Sequence, residues 1–164
     1  TKTHDTALTL STTKPTRTGY TFQNWNTKAD GSGTTYAAGA SYTGNADVTL
    51  YAIWKVNTYT VTFNANGGSS APNAQTKTHD TALTLSNTTP IRPGYVFLGW
   101  AESSNAATAK YQPGDGYSQN ASVTLYALWY EIERTPSGAA ALLTMDRSYA
   151  YEAAEILIEV VGTD

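Results

Sequence analysis

Eleven residues, Thr1 to Ser11, recur unchanged at Thr76 to Ser86. The 75-residue offset then holds without a gap as far as Trp54 and Trp129, and 29 of 54 aligned positions are identical. Self-similarity at a fixed period is the signature of one structural unit used more than once. This chain of 164 residues therefore holds one small fold twice, rather than one large core.

The two copies can be read against each other. Pro15, Arg17, Gly19, Tyr20, Phe22, Trp25, Tyr36, Gly39, Tyr42, Asn45, Val48, Leu50, Tyr51, Ala52 and Trp54 all return 75 residues later. Large apolar residues and turn glycines are kept, whereas the polar stretch 26–35 is replaced throughout in 101–110. A packed core with a free loop produces that contrast. The Tyr20, Phe22 and Trp25 group is expected in the core, because a fold this small needs bulk.

Alternation places the strands. Tyr59-Thr60-Val61-Thr62-Phe63-Asn64 puts Tyr, Val and Phe on one face, and Asn66-Gly67-Gly68 closes the run with a turn. Thr81–Leu85 gives a short second strand and Gly94–Trp100 a third. Val123–Trp129 closes the unit, with Val123, Leu125, Ala127 and Trp129 on one face. Trp100 falls out of phase with Tyr95 and Phe97. A bulge near Gly99, where copy one has Asn24, would return it to the core.

Composition agrees with a mainly β fold. Thr is the commonest residue, Tyr, Gly, Asn and Ser are plentiful, and only 14% of residues are charged. The net charge of −3 argues against nucleic acid as a partner. Residues 131–164 carry seven acids against two arginines, which sets an acidic tail apart. There is no cysteine, hence no disulfide, thiolate metal site or cysteine nucleophile. No apolar run is long enough to insert in a membrane. The chain opens on Thr1 rather than Met, as a fragment or processed form would.

The run Pro15, Arg17, Gly19, Tyr20, Phe22, Trp25, followed by a variable loop and Leu50-Tyr51-Ala52-Ile53-Trp54, resembles the Listeria–Bacteroides repeat, the internalin B-repeat type of bacterial surface proteins. Copy two carries the same motif as Pro90, Arg92, Gly94, Tyr95, Phe97, Trp100 and Leu125–Trp129, and residues 59–68 resemble the family's first strand. The resemblance implies a β-grasp-like unit with at most one short helix, secretion or cell-surface display, and binding or spacing rather than catalysis. It implies no cofactor and no ligand residue.

The organisation expected is repeat 1 over 1–56, repeat 2 over 57–130, and a linker with a β-hairpin-like tail over 131–164. That tail resembles the start of an immunoglobulin-like domain, with a helix over 149–157 as the rival reading. Copy one has no counterpart of 57–75 within the chain, so it lacks its first strand. Its open sheet is expected to take a strand from the tail, at Ala154–Val161, or by exchange with a neighbouring copy.

Candidates for chemistry are few. His4-Asp5 and His79-Asp80 hold the only histidines, and no third group completes a triad. They are expected to recur because the repeat recurs, at exposed positions. Asp30, Asp47 and Asp115 lack the spacing of a calcium loop, and Asp30-Gly31-Ser32-Gly33 reads as a turn. Gly67-Gly68 lacks phosphate-loop spacing. Lys55 beside Asn57, and Lys110, read as solvated lysines rather than cross-links. Tyr51 and Tyr126 lie on the face opposite Leu50 and Leu125, which makes them the candidate contact surface for a host protein or glycan. The expected function is a non-catalytic stalk or spacer in adhesion at the cell wall, with that ligand-binding role as the alternative.

Overall fold

The computed structural model describes residues 1–132; the tail readings beyond them lie outside the described residues. The strands are β1 (Leu8–Thr9), β2 (Tyr20–Asn26), β3 (Thr35–Tyr36), β4 (Ser41–Tyr42), β5 (Tyr51–Val56), β6 (Thr58–Asn64), β7 (Gln75–Thr78), β8 (Leu83–Thr84), β9 (Tyr95–Ala101), β10 (Gly116–Tyr117) and β11 (Val123–Glu131). No helix occurs among the described residues. The fold is mainly β, as composition and alternation require.

Copy two builds a four-stranded sheet in the order β7-β6-β11-β9. Its first and last long strands, β6 and β11, lie parallel, with Val61 opposite Val123 and Phe63 opposite Leu125. β9 runs antiparallel to β11 and β7 antiparallel to β6. Val61, Phe63, Leu85, Trp100, Tyr117, Leu125 and Ala127 form one buried cluster. Phe97 and Phe63 meet the Trp100 ring edge-on at 5.0 and 4.9 Å. Burying a side chain of this class contributes about 1.5–3 kcal/mol.

Trp100 reaches the core because β9 is bulged: the register against β11 slips between Phe97 and Gly99, and Gly99 has φ +130°. Copy one slips at the same place, between Phe22 and Asn24. The expected bulge is present in both copies.

Copy one forms only a three-stranded sheet, β3-β2-β5. β5 pairs with β2, and its other edge carries no strand among the described residues. The consequence is graded burial at matched positions. Trp100 and Leu125 are wholly buried, while Trp25 and Leu50 are half-buried. A small two-strand flap crosses each copy, with Leu8 opposite Tyr42 in one and Leu83 opposite Tyr117 in the other.

Two expectations need correction. The second strand, read as Thr81–Leu85, shortens to β8 and pairs with β10 outside the main sheet. The strand edging β6 is instead β7, which alternation does not flag because its inward residue is Lys77, at 0% exposure. The Lys77 ammonium donates to Thr78 O (2.7 Å) and Asn120 Oδ1 (3.1 Å), so its charge is hydrogen-bonded. Finally, β11 runs on through Glu131, so that residue is strand and not linker.

Candidate contact surface

Tyr20 and Tyr95, expected in the core, cap it from outside. The Arg17 guanidinium lies 3.8 Å above the Tyr20 ring and that of Arg92 lies 3.6 Å above Tyr95. Both rings are half-buried at the strand start, where the Arg stem and planar head cover them.

The joint between the copies is built there. A single residue, Asn57, separates β5 from β6. Its N–H donates to Gly19 O (2.9 Å), and its carbonyl accepts the N–H of His79 (2.9 Å). The Thr21 hydroxyl donates to Asn57 Oδ1 (2.7 Å). The His79 ring sits on Gly19 so closely that a Cβ at that glycine would overlap it, and Gly19 also needs φ +75°. The ring packs edge-on to Tyr20. Its Nδ1 lies 3.0 Å from the Tyr59 hydroxyl and its Nε2 3.3 Å from Asp80 Oδ2.

The expectation that both His-Asp pairs are exposed is therefore half right. The His4 side chain is 78% exposed, but that of His79 is 10% exposed. Both ring nitrogens of His79 have partners, and neither is a serine or threonine hydroxyl. Its role here is packing and orientation.

Each His-Asp turn is clamped from behind. Asn120 accepts hydrogen bonds from Lys77 and from the Asp80 N–H, and donates to Asp80 Oδ1 (2.7 Å). Asn45 does the same with Lys2 and Asp5. Asp5 and Asp80 share φ 55°, so the turns match.

Tyr51 and Tyr126 lie in different sheets. Tyr51 is 42% exposed, paired across β2 to Asn26. Tyr126 is half-buried between Asn64 and Ala101 on neighbouring strands, outside the core cluster. On the same outer side of copy two lie the cross-strand pair Val96 and Tyr130, together with Leu98 and Leu128. Copy one carries Thr21, Lys55, Gln23 and Ile53 there. Comparing the copies at those positions is the signal that single-residue reading overlooks.

The variable loop differs in its chemistry. In copy one Asn26, at 1% exposure, donates to Gly31 O, Gly33 O and Thr35 Oγ1, and accepts from the Lys28 and Gly33 amides. Asp30 caps its turn by accepting from Ser32 N and Oγ, which holds its carboxyl below the usual range. In copy two an ion pair replaces this arrangement: Lys110 Nζ donates to Glu102 at 2.8 Å. That hydrogen bond lowers the Glu102 pKa and raises that of Lys110. No cluster of His, Cys, Asp or Glu able to hold a metal occurs among the described residues. No helix of those residues is long and apolar enough to cross a membrane.

Against known proteins, the profile of the Listeria-Bacteroides repeat domain matches residues 1–53 and again 59–128. The chain belongs to the Listeria-Bacteroides repeat family. Both copies of the repeat are covered, and the second match opens within β6. A protein of Evansella cellulosilytica described as a Gly-rich membrane protein is 34% identical over 146 residues, covering 81% of this chain and 17% of its own length. Internalin H of Listeria monocytogenes is 33% identical over 115 residues, covering 70% of this chain and 20% of its own. This chain thus spans a fifth or less of these curated relatives. No solved structure matches.

Proposed function

We propose that this pair of repeats is a non-catalytic stalk or spacer segment of a bacterial protein displayed outside the cell. The observation that carries the reading is the joint: one linking residue, two backbone hydrogen bonds through it, and an imidazole seated on a glycine. A connection that short restricts how neighbouring units are oriented. The relatives' names, an internalin and a membrane protein, support a surface location. The parallel pairing of β6 with β11 supports the β-grasp-like reading of the unit.

Small-angle scattering of the chain tests the spacer reading. It predicts an elongated particle whose maximum dimension is unchanged by salt. A distribution that broadens like two beads on a string would contradict it. A hydrolase substrate screen tests the non-catalytic part, and turnover lost in His79→Ala would overturn it.

The second reading is a ligand-binding module for a host protein or glycan. It is favoured by one observation, the apolar outer side of copy two around Tyr126, Leu128 and Tyr130. Capture by a glycan array or host-protein panel that is lost in Tyr126→Ala supports it. Capture that survives both Tyr126→Ala and Tyr51→Ala removes these tyrosines from the site.

A further inference from the structure

We propose that copy two forms an intramolecular amide bond between Lys77 Nζ and Asn120 Cγ, with the Asp80 carboxylate carrying the protons. That bond does not depend on the spacer reading. Its origin is an anomaly in β7: Lys77 is enclosed, at 0% exposure, and its ammonium has no ion pair among the described residues. An enclosed cation without an ionic partner is unfavourable. Lys55 is exposed and the Lys110 side chain is 48% exposed, so neither shares this setting.

The Lys77 ammonium meets a carboxamide instead. Nζ lies 3.1 Å from Asn120 Oδ1, which is one bond from Cγ. Its other partner, Thr78 O at 2.7 Å, holds the end of the lysine stem. The carboxamide is fixed in one orientation, because Oδ1 also accepts the Asp80 N–H (2.9 Å) and Nδ2 donates to Asp80 Oδ1 (2.7 Å). Each contact suits acyl transfer from Asn120 to Lys77. The Asp80 N–H polarises the C=O and is placed to hold the oxyanion that attack creates. The Asp80 carboxylate touches the nitrogen that must leave, where proton transfer is needed. The Asp80 side chain is 78% exposed, which gives that nitrogen a path to solvent, while the amine lies where water does not reach. Holding amine, carboxamide and carboxylate together makes the reaction unimolecular.

The step balances without a further reactant. The Nζ–Cγ bond forms and the Cγ–Nδ2 bond breaks. Nζ sheds two of its three protons, Asp80 relays them, and Nδ2 leaves with both as ammonium. Nothing is oxidised or reduced, and a buried cation becomes a neutral amide. The bond joins residues 43 apart and ties the edge strand β7, across β6, to the segment that enters β11. A cross-link of that span constrains the unfolded chain as a disulfide does, in a sequence that has no cysteine. Lys2, Asp5 and Asn45 repeat these hydrogen bonds in copy one, and peptide mapping reads the two sites separately.

Mass spectrometry of the 164-residue chain tests this. The bond lowers the mass by about 17 Da, one ammonia. After trypsin, residues 56–110 appear uncut at Lys77 and joined to 111–134, about 17 Da below their summed masses. Lys77→Met, which fills the site with an apolar chain, abolishes the joined pair. Asp80→Asn keeps the shape but cannot relay a proton, and slows bond formation by about a hundredfold or more. That position is exposed and its φ of 55° is one asparagine tolerates, so the fold is retained. Recovery of 56–77 and 111–134 as separate peptides overturns the proposal. So does an ammonia loss confined to 56–110, which assigns it to ring closure at Asn66-Gly67, or a joined pair that forms unchanged in Asp80→Asn.

Discussion

Gly19 and His79 belong to different repeats, yet the imidazole of one lies where the side chain of the other would begin. The same histidine at position 4, with no glycine against it, is largely exposed. Only His79 carries structural weight. His79→Ala removes the ring from the joint and is expected to destabilise the chain by about 1–2 kcal/mol, through lost packing and the lost hydrogen bond to Tyr59. His4→Ala should change stability by less than about 0.5 kcal/mol, as exposed substitutions do. Urea unfolding of the two variants side by side measures the difference.

Matched tryptophans should be unequal. Trp100 is wholly buried among Phe63, Phe97 and the rest of the cluster, whereas Trp25 packs on Phe22 at a half-open sheet. Trp100→Ala is expected to cost about 3–5 kcal/mol and Trp25→Ala roughly half that. Comparable losses from unfolding curves of the two variants would mean that copy one is packed as fully as copy two.

The edge of β5 that carries no strand among the described residues accounts for that inequality and suggests a gain. A chain in which residues 57–75 are duplicated ahead of Thr1 offers β5 a parallel strand, as β6 is offered to β11. Burying the remainder of Leu50 and Trp25 should stabilise copy one by about 2–3 kcal/mol. Amide hydrogen exchange across 51–56 should slow as that edge becomes paired. Unchanged exchange would show that this edge does not accept a β6-type strand.

Copy one has a polar hub that copy two has dispensed with. Asn26 bonds to both limbs of the 26–35 loop, and Ala101 stands at its counterpart. Asn26→Ala leaves backbone groups of that loop without partners and is expected to cost about 1–3 kcal/mol. Ala101→Asn in copy two should gain nothing, because Ala106 stands where Gly31 holds φ +79° and is not in that left-handed conformation, so its loop follows a different backbone path.

Acid should be felt at the Glu102–Lys110 pair. The Lys110 hydrogen bond holds the folded-state pKa of Glu102 below its ordinary 4.5. The carboxylate's contribution is thus complete above that ordinary value and is lost as pH falls through the depressed one. Glu102→Gln should flatten the slope of stability against pH in that window. A slope identical to that of the unmutated chain would place the titration elsewhere.

Much of the architecture was legible because two copies could be compared. Tyr59, Val61 and Phe63 alternate cleanly, and both Gly99 and Asn24 mark the bulge that brings a tryptophan inward. β7 was illegible because lysine at an inward position contradicts the alternation rule unless its partner, Asn120, is known to lie 43 residues away. Tyr20 and Tyr95 read as core because sequence shows their bulk and not the arginine three positions earlier folding over them. The joint was visible only as a short linker, since the meeting of Gly19 with His79 joins residues 60 apart.

The central claim is that Asn57, Gly19 and His79 hold the two repeats as one rigid body. Residual dipolar couplings measured for backbone amides in β2 and β5 of one repeat, and β6, β9 and β11 of the other, test it directly. Both sets should fit a single alignment tensor in the full chain and separate into two in His79→Ala. Two tensors of unequal magnitude in the unmutated chain would contradict the claim.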